Sequence, residues 1–581
     1  MSRQRIVVIV LLVGSAAALG VLQRRQVHVE ISPRPLLYLV ADTQRELERI
    51  PLQLTRLSDA EENQIGEELA RRWRLTPARH KGDAQRIAEY VNRVGQNLRR
   101  GVERPNIRYR FHYVDEERFV NAGALPGGQI AIGRGLLQIL ENEDELAAIL
   151  AHEIAHVDRR HAVERLQYEV KARKLGVSGL YGLGRIGVAL FQAGYTKEKE
   201  AEADVAGLAL MVKAGYDPSA AVDVQRRFDL LYGRGPRAVE SPVEELARVP
   251  FDALREYFRT HPPSRERIAT IEREIARRGY RTAAPRKPLT IRAIFLTERA
   301  AGLDHRGLYD RALALYEEAI HTDPEYFPPH AARLQTMWRS GDTAGIVSAA
   351  PKVLERSSSH VPTWLVFSRA LAREVTDPRL AVQRLREWRT TLRTPRGAMA
   401  HWLITADIAA LEYQAGRPDA LEEFNQLLWK MTNAVEEENL HRRLAWSFYL
   451  YGRLPEAERE LRTGLQQYPE RAATHHALGW VLTEMGRQAD AQSELGLARR
   501  GDSDGSDFAL EAVILWRIDE RDRARDAFRQ AVEKDAVWMS EKWIRNQYPP
   551  GAASVLMELR TAEVARRRLE ELRRGRPAAR P

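Results

Sequence analysis

Apolar residues recur at helical spacing in the first third of the chain. One such stretch runs from Asp59 to Arg100, and a second begins at Asp144. Apolar side chains with a helical period lie on one face of a helix, so both stretches are predicted to form amphipathic helices. The apolar positions are Leu69, Trp73, Ile87, Tyr90, Val91, Val94 and Leu98 in the first stretch, and Leu146, Leu150, Ile154 and Val157 in the second.

Between these predicted helices, aromatic and polar residues alternate along the chain. Ile107–Val114 places aromatic side chains on one face and polar ones, including Arg110 and His112, on the other. This pattern predicts a strand with one face toward solvent. A turn at Pro126–Gly128 leads into a second predicted strand, Gln129–Ile132. The first half of the chain is therefore expected to be α+β, with a small sheet among helices.

The second half, from about Ala301 to Tyr548, is repetitive. Small or apolar residues follow a glycine at offsets of 5, 9 and 12, and two clear copies begin 34 residues apart at Gly452 and Gly486. This period resembles that of tetratricopeptide repeats, whose helix pairs stack into a solenoid with a concave face that binds peptides or partner proteins. The whole chain is thus expected to be mainly α. Further copies begin at Gly307 and, more weakly, at Gly341, Ala415 and Asp519.

The amino-acid composition limits which residues can bind a metal or act as a nucleophile. The 581 residues include no cysteine, which excludes disulfides, thiolate metal ligands and cysteine nucleophiles. Any metal must therefore bind to histidine, aspartate or glutamate. The 90 basic and 80 acidic residues give a net charge of +10. Part of this excess lies in residues 549–581, which are predicted to form a basic helix and tail rather than a nucleic-acid site.

The chain begins with an export signal or a membrane anchor over residues 1–26. Two arginines precede the apolar run Ile6–Val13 and small residues follow it, which is the order of a secretory signal peptide. Extended to Leu22, the same run is nearly long enough to remain as a single uncleaved anchor. In either case the rest of the chain is expected outside the cytoplasm.

The clearest chemical motif lies in the helix that begins near Asp144. His152 and His156 are four residues apart and share one helical face, so both imidazoles can reach a single ion. Glu153 is adjacent and can address a water on that ion. This spacing suits a zinc site with one further protein ligand and one open position. His161 is five residues beyond the second ligand and lies off the ligand face.

A third ligand is expected from a later helix. The metzincin pattern does not apply, because Arg159 and Ala162 stand where that pattern requires glycine and histidine. A predicted helix from about Thr196 instead carries Glu200 and Asp204 one turn apart. Glu200 can complete the ligand set, and Asp204 can hold a ligand imidazole by its far nitrogen. The alternative is a surface helix with an acidic face.

Together these motifs resemble peptidase family M48, the group that includes the CAAX prenyl proteases. The resemblance covers about Leu57 to Gly279. It rests on the NAxxxPGG segment Asn121–Gly128, on the HExxH and ExxxD motifs, and on the THPPSRERI segment Thr260–Ile268. The resemblance implies a zincin-type metalloprotease domain of mixed α and β structure.

The resemblance also implies the roles of individual residues. One Zn²⁺ per chain would be bound by His152, His156 and Glu200. Glu153 would be the general base of peptide hydrolysis, and Asp204 would support a ligand or donate a proton.

For two residues of the THPPSRERI segment, His261 and Arg267, the sequence leaves more than one role possible. His261 is a plain loop residue, a donor to the oxyanion together with Arg267, or a fourth ligand that closes the resting site. These interpretations give opposite expectations. Removing His261 raises activity if the residue occludes the metal and lowers activity if it stabilises the transition state.

The second predicted strand is expected to bind substrate. Gln129, Ile130, Ala131 and Ile132 would lie beside the motif helix and offer an open edge, to which an extended substrate adds as another strand. The alternative is an ordinary hairpin strand.

These elements combine into an exported zinc endopeptidase with helical repeats. Its predicted parts are a metallopeptidase domain at 57–279, a linker at 280–300 and a repeat array at 301–548. The combination resembles exported, soluble members of the family. That resemblance implies unfolded or misassembled envelope proteins as substrates, a Gram-negative periplasmic location and contact with outer-membrane assembly machinery.

Two further hypotheses complete the sequence analysis. An alternative from another functional class is a repeat scaffold or chaperone with a dormant metal site. The complete ligand set and the presence of Glu153 argue against this alternative. The glycine-rich segment 175–194 between the two motif helices is interpreted as a mobile flap near the cleft.

Overall fold

The structure is a computed structural model. It describes residues 57–72, 75, 80–116, 119–164, 195–233, 261, 265–281, 285–395, 398–428, 434–499 and 504–573. The predicted export segment at 1–26 and the glycine-rich segment at 175–194 lie outside the described residues, so both stay predictions. Within the described ranges, no helix combines the length and apolar character needed to cross a bilayer.

Helices surround a three-stranded sheet in the first half of the chain. Polar side chains cap the two helices that carry the motifs: Asn142 accepts a hydrogen bond from the Glu145 amide, and Thr196 accepts one from the Lys199 amide. The elements are α1 (Asp59–Arg72), α2 (Asp83–Arg99), β1 (Arg110–Val114), β2 (Ala122–Leu125), β3 (Gln129–Gly133), α3 (Arg134–Leu137), α4 (Glu143–Asp158), α5 (Lys197–Lys213), α6 (Ser219–Gly233) and α7 (Arg265–Arg278).

The sheet has the order β1-β3-β2. The central strand β3 pairs parallel to β1 and antiparallel to β2, so that Ile130 lies opposite both Phe111 and Ala124. The prediction that Gln129–Ile132 offers an open edge is therefore wrong. All five residues of β3 are buried, which is typical of a strand with neighbours on both sides. The strand that packs on α4 and has only one strand partner in the described chain is β2.

The predicted solvent-facing side of β1 is only partly observed. Arg110 is exposed, but His112 is buried, and its Nε2 atom lies 2.9 Å from Oε1 of Gln129 on β3. Burial lowers the pKa of His112. The alternation of polar residues did not predict this, because the neighbouring strand supplies a polar partner for the imidazole.

Helices α4 and α5 pack closely enough to bring the two motifs together. Gly207 of α5 lies close to the backbone of α4. A Cβ atom added there would lie 3.2 Å from the His152 amide nitrogen and 3.3 Å from the Ala151 carbonyl carbon. A side chain at this position would push α5 away from the helix that carries the HExxH residues.

From residue 292 onward, the described ranges contain seven helical hairpins. Their first helices begin 34 residues apart at Phe327 and Val361, in agreement with the predicted period. The predicted fold class, mainly α with a small sheet and then helical repeats, is confirmed. The helices are α8 (Arg292–His305), α9 (Tyr309–Thr322), α10 (Phe327–Ser340), α11 (Thr343–Arg356), α12 (Val361–Glu374), α13 (Pro378–Thr391), α14 (Met399–Gln414), α15 (Asp419–Leu428), α16 (Ala434–Leu450), α17 (Leu454–Gln467), α18 (Ala472–Glu484), α19 (Gln488–Ala498), α20 (Gly505–Arg517) and α21 (Arg521–Lys534).

The residues predicted to start the repeats form the turns within the hairpins. Left-handed backbone angles occur at Gly307, Gly341, Gly452, Gly486 and Asp519. Such angles strain most residues but cost glycine little, so glycine at these turns is favoured. In the fourth hairpin the left-handed residue is Gly416, with φ +89°, rather than the predicted Ala415.

The segment predicted as a linker, 280–300, already contains repeat structure. Helix α8 begins at Arg292, and its residues Phe295 and Leu303 belong to the same hydrophobic core as Val91 of α2 and Leu150 of α4. The prediction of a linker up to residue 300 is therefore wrong. The first hairpin packs into the core of the preceding domain, which a composition change at the boundary does not reveal.

After the last hairpin the chain returns across the array. We call residues 535–548 the crossing segment; it contains a 3₁₀ turn, Ala536–Met539, and helix α22, Glu541–Gln547. Arg339 of α10 anchors it, because its guanidinium pairs with Asp535 at 2.5 Å and with Asp304 of α8 at 3.1 Å. Helix α23, Pro550–Arg573, then packs against the last hairpin.

The crossing segment runs along the first helices of the hairpins. Arg373 of α12 donates a hydrogen bond to the Asn546 carbonyl, and Tyr548 contacts Trp446 of α16 and Trp480 of α18. The first helices of such hairpins line the concave face of a repeat array. This face, predicted to bind partners, is therefore partly covered by the protein's own chain.

The close approach of α4 and α5 gives a stability prediction. Gly207→Val is expected to destabilise the fold by about 1–3 kcal/mol, because the added side chain overpacks the helix contact. Gly302→Ala is the matched control, since Gly302 lies within α8 and a Cβ there meets nothing within 4 Å. It is expected to be neutral or to stabilise by up to about 1 kcal/mol. Urea denaturation monitored by circular dichroism measures both, and equal effects would contradict the packing argument.

Candidate metal centre

Helix α4 places two imidazoles side by side. The Nε2 atoms of His152 and His156 lie 3.0 Å apart, and the ring centroids are 4.7 Å apart. Both residues are buried. The helical spacing of four residues produces this arrangement, because such residues lie one above the other on the same face.

Glu200 of α5 faces this pair. Its Oε2 atom lies 3.5 Å from His152 Nε2, and its Oε1 atom lies 3.4 Å from His156 Nε2. Glu200 and Asp204 are both buried, so the alternative of an acidic surface helix does not hold. One potential ligand atom from each of His152, His156, Glu200 and His261 lies within 4.8 Å of the others.

This donor set fits a divalent ion such as Zn²⁺. In a tetrahedral site with zinc–nitrogen bonds of about 2.0–2.1 Å, two ligand nitrogens are separated by about 3.3 Å. The separations of 3.0, 3.4 and 3.5 Å between ligand atoms of His152, His156 and Glu200 lie close to this value. Two imidazoles and one carboxylate form the ligand set of many catalytic zinc sites.

The carboxylate of Glu153 lies beside the ligands. Both of its oxygens are buried, and neither has a hydrogen-bond partner among the described residues. His261 Nε2 is 3.6 Å from its Oε1 atom. Burial raises the pKa of Glu153. A buried carboxylate without a hydrogen bond is costly, so its position suits a group that exchanges protons with a bound water or substrate.

Asp204 and Arg267 hold the ligands in position. Asp204 Oδ1 lies 3.0 Å from His152 Nδ1, which is the ring nitrogen that faces away from Glu200. Arg267 donates to Asp204 at 2.8 and 2.7 Å, and its third nitrogen lies 2.9 Å from Glu200 Oε2. Burial alone would raise the pKa of Asp204, but the Arg267 guanidinium lowers it. Asp204 therefore remains ionised and orients the His152 ring.

The prediction that Arg267 contacts substrate does not agree with this geometry. All three guanidinium nitrogens face carboxylates of the chain itself, and the residue is buried. Sequence reasoning placed Arg267 at the site but could not predict its partners, because they come from another helix.

His261 joins the ligand cluster. Its Nδ1 atom lies 3.1 Å from Glu200 Oε1, and its ring centroid is 5.3 Å from that of His152. The residue is buried, so it is not a plain loop residue. Of the two remaining interpretations, the position among the potential ligand atoms favours a fourth ligand.

Two further residues lie against the His156 ring, and their contacts with it were not predicted. Nδ1 of His161 lies 3.0 Å from Nδ1 of His156, and its other nitrogen lies 3.4 Å from Glu202. The ring of Tyr195 stacks on His156 with centroids 3.8 Å apart. His161 is off the ligand face, as predicted, but the left-handed backbone at Arg160 turns it back toward the far side of the imidazole. No sequence signal indicated Tyr195.

The fold and this site define a metallopeptidase domain joined to an array of helical hairpins. Residues 85–275 match the model of Peptidase family M48. The predicted class of enzyme domain and the predicted family are thus confirmed.

Curated relatives with known names align over the same region. The chain is 30% identical over 191 residues to the mitochondrial metalloendopeptidase OMA1 of Schizosaccharomyces pombe, covering 32% of this chain and 51% of that protein. It is also 30% identical over 151 residues to the putative beta-barrel assembly-enhancing protease of Vibrio cholerae, covering 23% of this chain and 31% of that protein. The chain therefore spans about half or less of the length of these relatives.

A solved structure aligns with a larger part of the chain. A tetratricopeptide repeat protein from Parabacteroides merdae covers 46% of this chain and 98% of its own, with 14% sequence identity and a TM-score of 0.28. The assignment of helical hairpins above rests instead on the helix boundaries and turns of this chain.

The ligand geometry predicts the effect of removing the carboxylate. Glu200→Gln is expected to lower the zinc content of purified protein from about one ion per chain to well below half, because a neutral amide is a poor zinc ligand. Glu198→Gln is the matched control, since Glu198 is exposed on the same helix. Metal analysis by mass spectrometry measures both variants. Full zinc content in the Glu200 variant would show that this carboxylate is not a ligand.

Proposed function

We propose that this chain is a zinc-dependent endopeptidase. The observation that carries the proposal is the convergence of His152, His156 and Glu200 with the Glu153 carboxylate, which accepts no hydrogen bond from the described residues, in one buried site. Bound zinc would lower the pKa of a coordinated water and polarise a peptide carbonyl. The family of the domain at residues 85–275 supports this chemistry.

In this proposal Glu153 moves the protons. Its raised pKa brings the carboxylate closer to the range in which a group can accept and then return a proton near neutral pH. It takes the proton of the attacking water and passes it to the amine of the leaving peptide. Asp204 holds the His152 imidazole, and Arg267 holds Asp204 and Glu200, so the ligand set stays ordered while the substrate changes charge.

We further propose that the resting site is closed by His261. With His152, His156, Glu200 and His261 all contributing ligand atoms, a tetrahedral ion would have no position left for water. Hydrolysis then requires His261 to move away. Since His261 lies a few residues before α7, a shift of this helix start would open the site.

The substrate is proposed to pair with β2. This strand packs on α4 and is hydrogen-bonded to β3 along one side only, in the part of the chain that the structure describes. An extended peptide added to Ala122–Leu125 would run beside the metal ligands and be held mainly by main-chain hydrogen bonds. Such binding gives weak sequence preference and suits unfolded chains.

The proposed substrates are unfolded or misassembled proteins of the bacterial envelope, in the periplasm. The predicted export segment at 1–26 and the similarity to a putative beta-barrel assembly-enhancing protease support this proposal. The helical hairpins would bind these substrates or a partner such as outer-membrane assembly machinery. The similarity to mitochondrial OMA1 shows that related domains also occur in another compartment.

The catalytic role of Glu153 is tested by a neutral substitution. Glu153→Gln is expected to lower casein cleavage by at least about a hundredfold, because the general base is lost, while zinc remains bound. Glu198→Gln should cleave casein as the unaltered protein does, and a chelator should abolish that cleavage. Chelator-resistant cleavage, or a fully active Glu153 variant, would contradict the proposal. Absence of any cleavage by the unaltered protein would favour the scaffold with a dormant site.

The closing role of His261 has its own test. His261→Ala is expected to raise the initial rate of casein cleavage by about threefold or more, since the closed state is no longer favoured. His330→Ala is a control, because His330 lies on α10 in the repeat array. A lower rate with unchanged zinc content would instead assign His261 to the transition state.

A further inference from the structure

A cavity lies in the repeat array. It has a volume of about 610 Å³ and is lined by the first helices of several hairpins and by the end of the crossing segment. Cavities of about 300–1,000 Å³ are typical of binding sites. One part of its wall is apolar and aromatic, formed by Val361, Leu365, Met399, Leu403, Trp446 and Tyr548.

Three arginines form another part of the wall. Arg369 of α12 and Arg442 and Arg443 of α16 all line the cavity. Arg369 and Arg443 also line a neighbouring cavity of about 60 Å³. These two side chains therefore lie between the two cavities.

The charge of Arg443 is balanced inside the protein, but that of Arg369 is not. Arg443 Nη2 lies 2.6 Å from Asp407, which also accepts a hydrogen bond from Ser368. Arg369 donates to the neutral amide oxygen of Gln547 at 3.3 Å, and no carboxylate of the described residues lies within ion-pair distance of it. Its Nε atom is buried without a hydrogen-bond partner among those residues. Burial and the charges of Arg443 and Arg442 lower the pKa of Arg369 to about 9.

The acidic residues of the cavity wall have other partners. Asp507 lies 2.8 Å from His476 Nδ1, and Asp504 accepts hydrogen bonds from the amides of Ser506 and Asp507 at the start of α20. They therefore do not balance Arg369. A half-buried cation without a counter-charge destabilises a protein, so this arrangement is typical of a site that receives an anion.

We infer that this cavity binds the C-terminal carboxylate of another polypeptide whose last residue is apolar. Guanidinium groups pair with carboxylates through two parallel hydrogen bonds. The apolar wall would take the last side chain, and the guanidinium of Arg369 between the two cavities would take the carboxylate that ends the chain. This inference goes beyond the proposed hydrolysis, because it assigns a ligand to the repeat array rather than to the metal centre.

Peptide binding to the full chain tests the inference. The Glu153→Gln variant prevents cleavage, and fluorescence polarisation reports the dissociation constant of a labelled hexapeptide that ends in Leu-Phe with a free carboxylate. We expect at least about tenfold weaker binding when the same peptide ends in an amide, and weaker binding as the salt concentration rises. An amidated peptide with an internal aspartate should bind no better than the plain amide. Equal binding of the free acid and either amidated peptide would overturn the inference.

A substitution at the arginine tests the site itself. Arg369→Met, which keeps the length but removes the charge, is expected to weaken binding of the free acid by at least about tenfold, and Arg369→Lys should weaken it less. Arg379→Met is the matched control, because Arg379 is exposed on α13.

Thermal melting separates a binding role from a structural one. The melting temperature of Arg369→Met should equal or exceed that of the unaltered chain, since a half-buried charge without a counter-charge is removed. Unchanged peptide binding by Arg369→Met would overturn the inference, as would a marked drop in melting temperature for both Arg369 variants. The binding assay requires no hydrolysis. A negative binding result therefore does not contradict the endopeptidase proposal, and a protein without peptidase activity can still be tested for peptide binding.

Discussion

The packing of α4 against α5 is the contact on which the metal centre depends. Each helix supplies only part of the site: α4 carries His152 and His156, and α5 carries Glu200. Glycine at position 207 allows the two backbones to approach closely. Arg267 then bridges Asp204 and Glu200, so that the cluster of buried carboxylates is balanced by a buried cation. Close packing and charge balance together place three ligands from separate turns around one point.

Two ionisable groups stand out because they have buried polar atoms without a hydrogen-bond partner in the described chain. Both carboxylate oxygens of Glu153 lie beside the candidate metal ligands without a hydrogen bond, and Arg369, whose Nε atom is buried, faces a cavity of the repeat array without a counter-charge. Most other buried charges of these regions, such as Asp204 and Arg443, are paired at short distance. The free energy cost of leaving a buried charge unpaired explains why such groups concentrate where a ligand or substrate binds.

The metallopeptidase domain and the hairpins form a continuous structure. Helix α8 shares the core of the domain, and the crossing segment ties the last hairpin back to Arg339 of the second hairpin. A substrate held by the array would therefore be held at a set distance from the metal centre. The crossing segment also decides which part of the concave face stays accessible, and the arginine-lined cavity lies at its end.

The sequence by itself determined the helices and the repeat period, since each depends on spacing along the chain. It also indicated two pairs of candidate site residues, His152 with His156 and Glu200 with Asp204, because the members of each pair share one helical face wherever their helix lies. Tertiary structure decided the neighbours: β3 is a central strand, Arg267 pairs with carboxylates, and α8 belongs to the domain core. These features depend on contacts between residues far apart in the chain, and local periodicity contains no information about which surfaces meet.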